Sequence, residues 1–264
     1  MPGDALPELS IVIPAFNEAE RLPAFLDAVL AWRQAARRNA EILVVDDGSR
    51  DNTAELVLQR AAREPALRLV RHLQNAGKGA AVRTGMAAAR ARLRLFADAD
   101  GATGMAELAA LERAVEAGAA IAIGSREGEG TLVQCSPLRR FLGRWFNRAV
   151  RMGSVRGLRD TQCGFKLFAG EQAWGLFLQA QEDGWAFDVE VLFLAQKRGL
   201  KIAEVPVNWT EKAGSKVSLW RDGMKMLKAV RRVVRRWRRG EYDRAQPRVT
   251  PSREETPSTV SAKS

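Results

Sequence analysis

The 264-residue chain is predicted to be an α/β protein built on a mainly parallel sheet with helices on both faces. Three observations lead there. Apolar runs of strand length recur at 9–14, 41–45, 67–71, 93–97 and 120–123, and stretches with helical spacing separate them. That rhythm implies β–α–β units, whose crossovers make neighbouring strands parallel. Finally, the unusual residues cluster where such sheets bind ligands, just beyond the carboxyl ends of the strands. They are Pro14 to Glu18, Asp46 and Asp47, Gly77 to Gly79, Asp98 and Asp100, and Arg126.

Taken in order, the first strand, Leu9 to Pro14, is stopped by its proline. Leu22, Phe25, Leu26, Val29 and Leu30 then mark one face of a helix over about 19–36. The strand 41–45 ends in Asp46-Asp47-Gly48-Ser49, and Asp51-Asn52-Thr53 reads as the cap of a helix over 54–63. A short strand from Leu67 leads to Asn75-Ala76-Gly77-Lys78-Gly79 and a small-residue helix ending near Ala89. The strand 93–97, a helix over 105–117 and the strand 120–123 follow. Beyond Arg126 the alternation breaks. Residues 127–136 look like a loop, 138–152 like an amphipathic helix, and 160–168 like a turn into a strand. Helices near 171–181 and 187–197, a strand 201–207 and a long helix 219–239 complete the ordered part. The Ser-, Thr- and Pro-rich tail, 241–264, is expected to be disordered.

Composition narrows the function classes. Cys135 and Cys163 form neither a disulfide framework nor a metal cluster, and read as small buried groups of a reducing compartment. One histidine, His72, makes a His-based metal site or a Ser–His triad implausible. No Gly-x-Gly-x-x-Gly follows the first strand and no Walker-type loop occurs. There is no signal peptide, and no apolar run approaches the roughly 18–20 residues of a membrane span, so a cytoplasmic protein is expected. The net charge of +11 suggests nucleic acid until its distribution is examined. Eight Lys and Arg without an acid lie between Lys225 and Arg239, and five Arg without an acid between Leu138 and Met152. Setting those thirteen cations aside leaves the remainder at −2. A basic nucleic-acid-binding module is therefore the weaker reading.

The chemistry gathers at Leu93 to Ala102. A buried-strand pattern ends in two carboxylates one residue apart, then a glycine. Residues i and i+2 of a strand share a face, so Asp98 and Asp100 can converge on one cation, and hard oxygen ligands suit Mg²⁺ or Mn²⁺. A capped turn explains the same residues without a metal.

Several stretches, in this order, resemble an inverting glycosyltransferase of family 2 with the GT-A (nucleotide-diphospho-sugar transferase) fold: Ile13-Pro14-Ala15-Phe16-Asn17-Glu18, Val45 to Ser49, Asn75 to Gly79 and Asp98-Ala99-Asp100. Arg159 to Phe168, Trp185-Ala186-Phe187-Asp188-Val189-Glu190 and Val207-Asn208-Trp209-Thr210-Glu211 narrow the likeness to dolichyl-phosphate (polyprenyl-phosphate) beta-glucosyltransferases. It spans roughly residues 9–240.

The resemblance implies a nucleotide-sugar donor, UDP-glucose, and a polyprenyl-phosphate acceptor. Pro14, Ala15, Glu18 and Asp47 would contact the uridine, Lys78 would offset diphosphate charge, and Asp98 and Asp100 would hold the Mg²⁺ or Mn²⁺. A lipid monophosphate has a second pKa near ~6 and is already a nucleophile at neutral pH, so a catalytic base is optional. Arg126, Lys166, Lys216 and Arg139 are candidates for the cationic clamp on that phosphate. Asp188 or Glu190 would act as a base or orient Lys166. The same fold would also suit a polyprenyl-phosphate mannosyltransferase using GDP-mannose.

The implied organisation is a catalytic domain over 1–218, with a donor half at about 9–126 and an acceptor half at about 127–218. A basic amphipathic helix over 219–240 and the tail follow. In that helix Met226, Leu227, Val230, Val233, Val234 and Trp237 would enter the headgroup boundary while its cations meet anionic lipid. Peripheral attachment to the cytoplasmic face of a membrane is the expectation; a protein partner cannot be inferred. Eukaryotic family members carry an N-terminal spanning helix, whereas this chain begins almost directly at its first strand.

Overall fold

The computed structural model describes residues 6–127, 133–134, 155, 157–212, 219–244, 247–248 and 250–257. The 138–152 segment with Arg139, Lys216, Cys135 and the chain end beyond 257 lie outside them.

Four parallel strands form the first half of the sheet: β1 (Leu9–Ala15), β2 (Ala40–Asp46), β3 (Leu67–His72) and β4 (Leu93–Ala97). Between them run α1 (Leu22–Ala35), α2 (Thr53–Ala61) and α3 (Lys78–Ala88). A single 3₁₀ turn (Met105–Glu107) leads into α4 (Leu108–Glu116), then β5 (Ile121–Ser125). Val133–Gln134 form the short β6, which pairs with β9 (Trp209–Thr210) in a separate two-stranded sheet among the described residues. The remaining elements are β7 (Phe165–Ala169), α5 (Glu171–Trp174), α6 (Leu176–Gln179), α7 (Phe187–Lys197), β8 (Ile202–Pro206), α8 (Leu219–Arg238), α9 (Glu241–Arg244) and β10 (Ser252–Glu255).

The main sheet has the order β10-β3-β2-β1-β4-β7-β5-β8. Alternate residues of a strand face opposite ways, which gives the sheet two cores. Ile11 and Ile13 pack with Phe25 and Leu26 of α1, Val57 of α2 and Leu108 of α4. Val12, Phe96 and Ile123 face the other way, onto Val82 and Met86 of α3 and the apolar body of α7. The helix α3 is rich in small residues because it lies close to the sheet: a Cβ on Gly85 would come 2.3 Å from Val12 Cγ1. Helices cover both faces, as expected.

Three expectations need correction. The segment 171–181 is two short helices, α5 and α6, rather than one. Part of the tail is ordered: Ser252–Glu255 pairs antiparallel with β3, and Arg68 binds Glu254 at 2.8 Å across that edge. Backbone pairing needs no apolar residue, so a polar composition did not preclude a strand. Thirdly, the described part of the apolar stripe of α8, from Val230 on, meets protein, while the side chains of Met226 and Leu227 lie outside the described residues. Ala229, Val230 and Val233 are buried, and Trp237 packs edge-on against Phe193 of α7 and beside Tyr242 of α9. Those side chains are therefore not available to a bilayer. Lys228, Arg231, Arg235, Arg238 and Arg239 remain exposed on the outer side.

Candidate active site

The sheet delivers the site through one antiparallel strand. β7 lies between β4 and β5, with Lys166 in register with Phe96 on one side and Ile123 on the other. Because β7 runs backwards, its beginning lies beside the end of β4. Asp98 N donates to Gly164 O at 2.9 Å there. The strand end of β4 thus continues into Asp98, and the turn before β7 forms the floor beneath it. A Cβ on Gly164 would come 1.9 Å from Asp98 Oδ2, so only glycine leaves room for this carboxylate.

Lys78, the first residue of α3, reaches Asp98 Oδ1 at 2.7 Å, and its Nζ lies 4.6 Å from the centre of the Trp185 ring. Burial alone would lower the Lys78 ammonium, but Asp98 and Asp188 more than offset this and hold it above the usual lysine range. Asp100 Oδ1 accepts from Ala102 N at 3.1 Å, and Arg21 Nη1 stands 3.9 Å from its Oδ2. Burial first, and then the neighbouring Asp98, push the Asp100 carboxyl above its usual value.

Two adjacent, partly exposed carboxylates under that mutual repulsion are a setting that a divalent cation relieves. The side chains are 31% and 28% exposed. No cluster of three His, Cys, Asp or Glu side chains suited to a metal occurs among the described residues. An ion bound here would take its remaining ligands from substrate oxygens and water, a habit of Mg²⁺.

The acceptor side differs from expectation. Lys166 is only 1% exposed; its Nζ donates to Asp188 Oδ1 at 2.5 Å and to Cys163 O at 2.6 Å. It cannot touch a substrate phosphate as it stands, because both it and Asp188 sit beneath the surface of the site. Burial raises the Asp188 carboxyl, with Lys166 and then Lys78 acting against that rise. The backbone polarity of Cys163 and the carboxylate of Asp188 are what make a buried ammonium tolerable.

Arg126 is the more accessible cation, its side chain 30% exposed. Its Nε and Nη2 bind the two oxygens of buried Asp160 at 2.6 and 2.9 Å, a bidentate pair that does not use Nη1. Burial would raise Asp160, yet Arg126 and backbone donors hold it down at about 2. Arg126 also lies 5.5 Å from the Trp209 ring.

Asp47 and Glu190 are both held by protein donors. The Asp47 carboxylate is buried and takes four of them. Oδ1 meets His72 Nδ1 at 2.7 Å and Ala76 N at 2.9 Å, while Oδ2 meets Asn75 Nδ2 and Gly77 N, each at 2.8 Å. All four acceptor positions are thereby used in shaping the loop before Lys78. Glu190 lies away from Lys166 and accepts from Gln181 N, Glu182 N and Tyr242 Oη, so it is neither a base nor a guide for Lys166. β1 runs through Pro14 to Ala15, one residue past the proline expected to stop it, and Glu18 accepts from Arg21, which faces Asp100.

Sequence reasoning missed Asp160, Arg21 and Trp185. Asp160 stood inside a quoted segment and Trp185 opened another, but nothing in the spacing identified Arg126 or Lys78 as their partners. Nothing in the sequence singles out Arg21.

Residues 10–160 match the family model described as glycosyl transferase family 2. A dolichyl-phosphate beta-glucosyltransferase of Trichomonas vaginalis is 42% identical over 80% of this chain and 66% of its own length. Those of Drosophila melanogaster and Homo sapiens are 41% and 38% identical, over 88% and 81% of this chain and 77% and 71% of theirs. The chain thus spans about two thirds to three quarters of these relatives. Among solved structures, mannosyl-3-phosphoglycerate synthase from Rubrobacter xylanophilus superposes with a TM-score of 0.65 at 22% identity, covering 93% of this chain and 78% of that one. Glucosyl-3-phosphoglycerate synthase from Mycobacterium tuberculosis, solved with Mn²⁺, UDP and its glucosylated product, gives 0.61 at 20%, covering 88% and 80%. These two share the fold. The chain belongs to glycosyltransferase family 2 and is a glycosyltransferase of the GT-A fold.

Proposed function

We propose that the protein transfers glucose, with inversion, from UDP-glucose to the phosphate of a polyprenyl (dolichyl-type) lipid at a membrane surface. The names of its relatives support glucose and a lipid phosphate. The Mn²⁺ and UDP bound by a protein of the same fold support the metal and the nucleotide.

One observation carries the reading on the acceptor. Among the described residues of the acceptor half, Asp160 and Asp188 are both buried in ion pairs, with Arg126 and Lys166. Neither is placed to take a proton from an attacking hydroxyl. A phosphate monoester needs no such step, since much of it is already dianionic at neutral pH. What it needs is help in approaching a second anion. Arg126 supplies that help directly through Nη1. Lys166 acts from below, as positive charge fixed under the reacting centre, and keeps Asp188 from facing the acceptor as a bare anion.

On the donor side Lys78 neutralises diphosphate charge, and Asp98 with Asp100 hold Mg²⁺ or Mn²⁺. Such an ion would supply Lewis-acid charge against the negative charge of the departing UDP. Arg21 orients Asp100 from the solvent side. Attachment to the membrane is electrostatic, through the exposed row on α8, because the described part of its apolar stripe is committed to the domain. No described helix is long and apolar enough to cross a membrane.

The test offers labelled UDP-glucose and GDP-mannose in parallel with polyprenyl phosphate and Mg²⁺ or Mn²⁺. Labelled lipid from UDP-glucose, abolished by Asp100→Ala, is expected. Transfer from GDP-mannose alone, or full activity in Asp100→Ala, would overturn the reading.

A further inference from the structure

The glycine-rich loop that presents Lys78 rests on a second segment, 181–185. Gly79 N and Ala80 N donate to Asp183 O at 2.7 and 3.2 Å, so this carbonyl caps the start of α3. The contact is close: a Cβ on Gly77 would lie 2.4 Å from Asp183 O, and one on Gly79 2.4 Å from Glu182 O. Trp185, 48% exposed, then turns its ring over Lys78. Whatever sets the position of 181–185 sets the height of the Lys78 ammonium beside Asp98.

That segment is tied to the far end of the chain. Glu182 is buried and accepts from Arg232 Nε at 2.6 Å, from Arg232 Nη2, and from Arg236 Nη1 at 2.7 Å. Arg248 binds Gln181 O at 2.7 Å and Asp183 Oδ2 at 2.8 Å, and Arg83 of α3 holds the other oxygen of Asp183. Beneath, Glu190 is fully buried and gathers Gln181 N, Glu182 N and Tyr242 Oη around one carboxylate. Buried carboxylates are tolerated only when every lone pair is satisfied, so such a network holds one geometry or loosens as a unit.

We propose that Arg232, Arg236, Tyr242 and Arg248 form a positioning latch for the donor pocket: they hold 181–185 in place, and through it the α3 start and Lys78. The latch makes the C-terminal segment a working part of the donor site, in addition to any attachment role. This inference rests on the reading of Lys78 as the donor-diphosphate cation, whereas its mechanical half does not. Arg232, Arg236 and Tyr242 are positioning residues; none needs to contact substrate.

The experiment uses the full chain, with Arg232→Gln/Arg236→Gln and Tyr242→Phe as variants and Arg232→Lys/Arg236→Lys as the charge-conserving control. Hydrogen exchange of the Gly79 and Ala80 amides is followed together with those of Leu9–Ala15, and donor and acceptor kinetics are measured alongside. Exchange at 79–80 is expected to quicken about 10-fold or more in the Gln and Phe variants, with the β1 amides unchanged and the Lys control closer to wild type. The donor KM is expected to rise about 5- to 20-fold, with kcat within about twofold and the acceptor KM unmoved. Unchanged exchange at 79–80 would overturn the latch, and so would acceleration spread equally to β1, which marks general destabilisation. Quickened exchange with an unaltered donor KM would overturn the link to the donor pocket. Absence of transfer in the wild-type protein would sink the proposed function while leaving the exchange result to decide the latch.

Discussion

Gly164→Ala is the sharpest single perturbation of the site. The glycine carries no unusual backbone angle, so alanine is tolerated by the chain itself. Its Cβ, however, would stand 1.9 Å from Asp98 Oδ2, 2.1 Å from Cγ and 2.7 Å from Oδ1. Real Cβ contacts essentially never fall below 3.0 Å, so the carboxylate must retreat by roughly 1 Å. It can do so cheaply, because the Asp98 side chain is 31% exposed and turns toward solvent. Fold stability should therefore change by less than about 1 kcal/mol. Catalysis should not escape, since a misplacement of about 1 Å costs on the order of 100-fold, or about 2.7 kcal/mol of barrier. The assay is initial-rate sugar transfer over a metal titration, with urea denaturation on the same preparation. A rate within threefold of wild type would refute the placement of Asp98 at the reacting centre. A large loss of stability would show that Gly164 serves packing instead.

Removing the ammonium in Lys166→Met should leave Asp188 buried and unpaired, at a cost of about 3–5 kcal/mol, and Lys166→Met/Asp188→Leu should recover most of that without recovering activity. Urea midpoints check both, and a single variant within 1 kcal/mol of wild type would contradict the pairing. Asp160, held at about 2 by Arg126 after burial is overcome, has a depressed folded pKa. Its contribution, roughly 2 kcal/mol, is therefore fully present above pH ~4 and lost as pH falls toward ~2. Asp160→Asn should lose that acid-dependent part, and an unchanged slope of stability between those pH values would count against it. Replacing Lys228, Arg231, Arg235 and Arg238 with Gln removes about 1 kcal/mol of lipid attraction each, which should weaken binding to acidic vesicles about 10³-fold. Undiminished co-sedimentation would show that attachment lies elsewhere.

Much of the sheet was legible because its strands must be apolar and its helices must show one apolar face, both properties of local sequence. The residues at strand ends were legible for the same reason: Asp98 and Lys78 stand next to segments whose ends are visible. Partnerships were not. Lys166 and Asp188 are 22 positions apart, and Arg126 and Asp160 are 34 apart. Only the insertion of β7 between β4 and β5 shows which cation is buried and which is presented. Asp47 illustrates the limit well. A carboxylate after a strand suits a nucleotide or a neighbouring loop equally, and the spacing does not show the four protein donors that surround it. For α8 the sequence shows an apolar stripe but not what covers it. From Val230 on, the stripe meets α7 and Tyr242, so that part of the segment expected to lie in lipid helps to complete the core.

The most direct measurement of the central claim, a phosphate nucleophile working without a protein base, compares two acceptors of equal chain length. With labelled UDP-glucose and Mg²⁺, a polyprenyl monophosphate and the corresponding polyprenol are offered separately at matched concentrations. Glucosyl lipid is expected from the monophosphate, with at least about a tenth of the rate retained in Asp188→Asn, since general-base loss typically costs 10²–10⁴-fold. Transfer to the free alcohol at a comparable rate would show that a side chain removes the proton, and would contradict the claim.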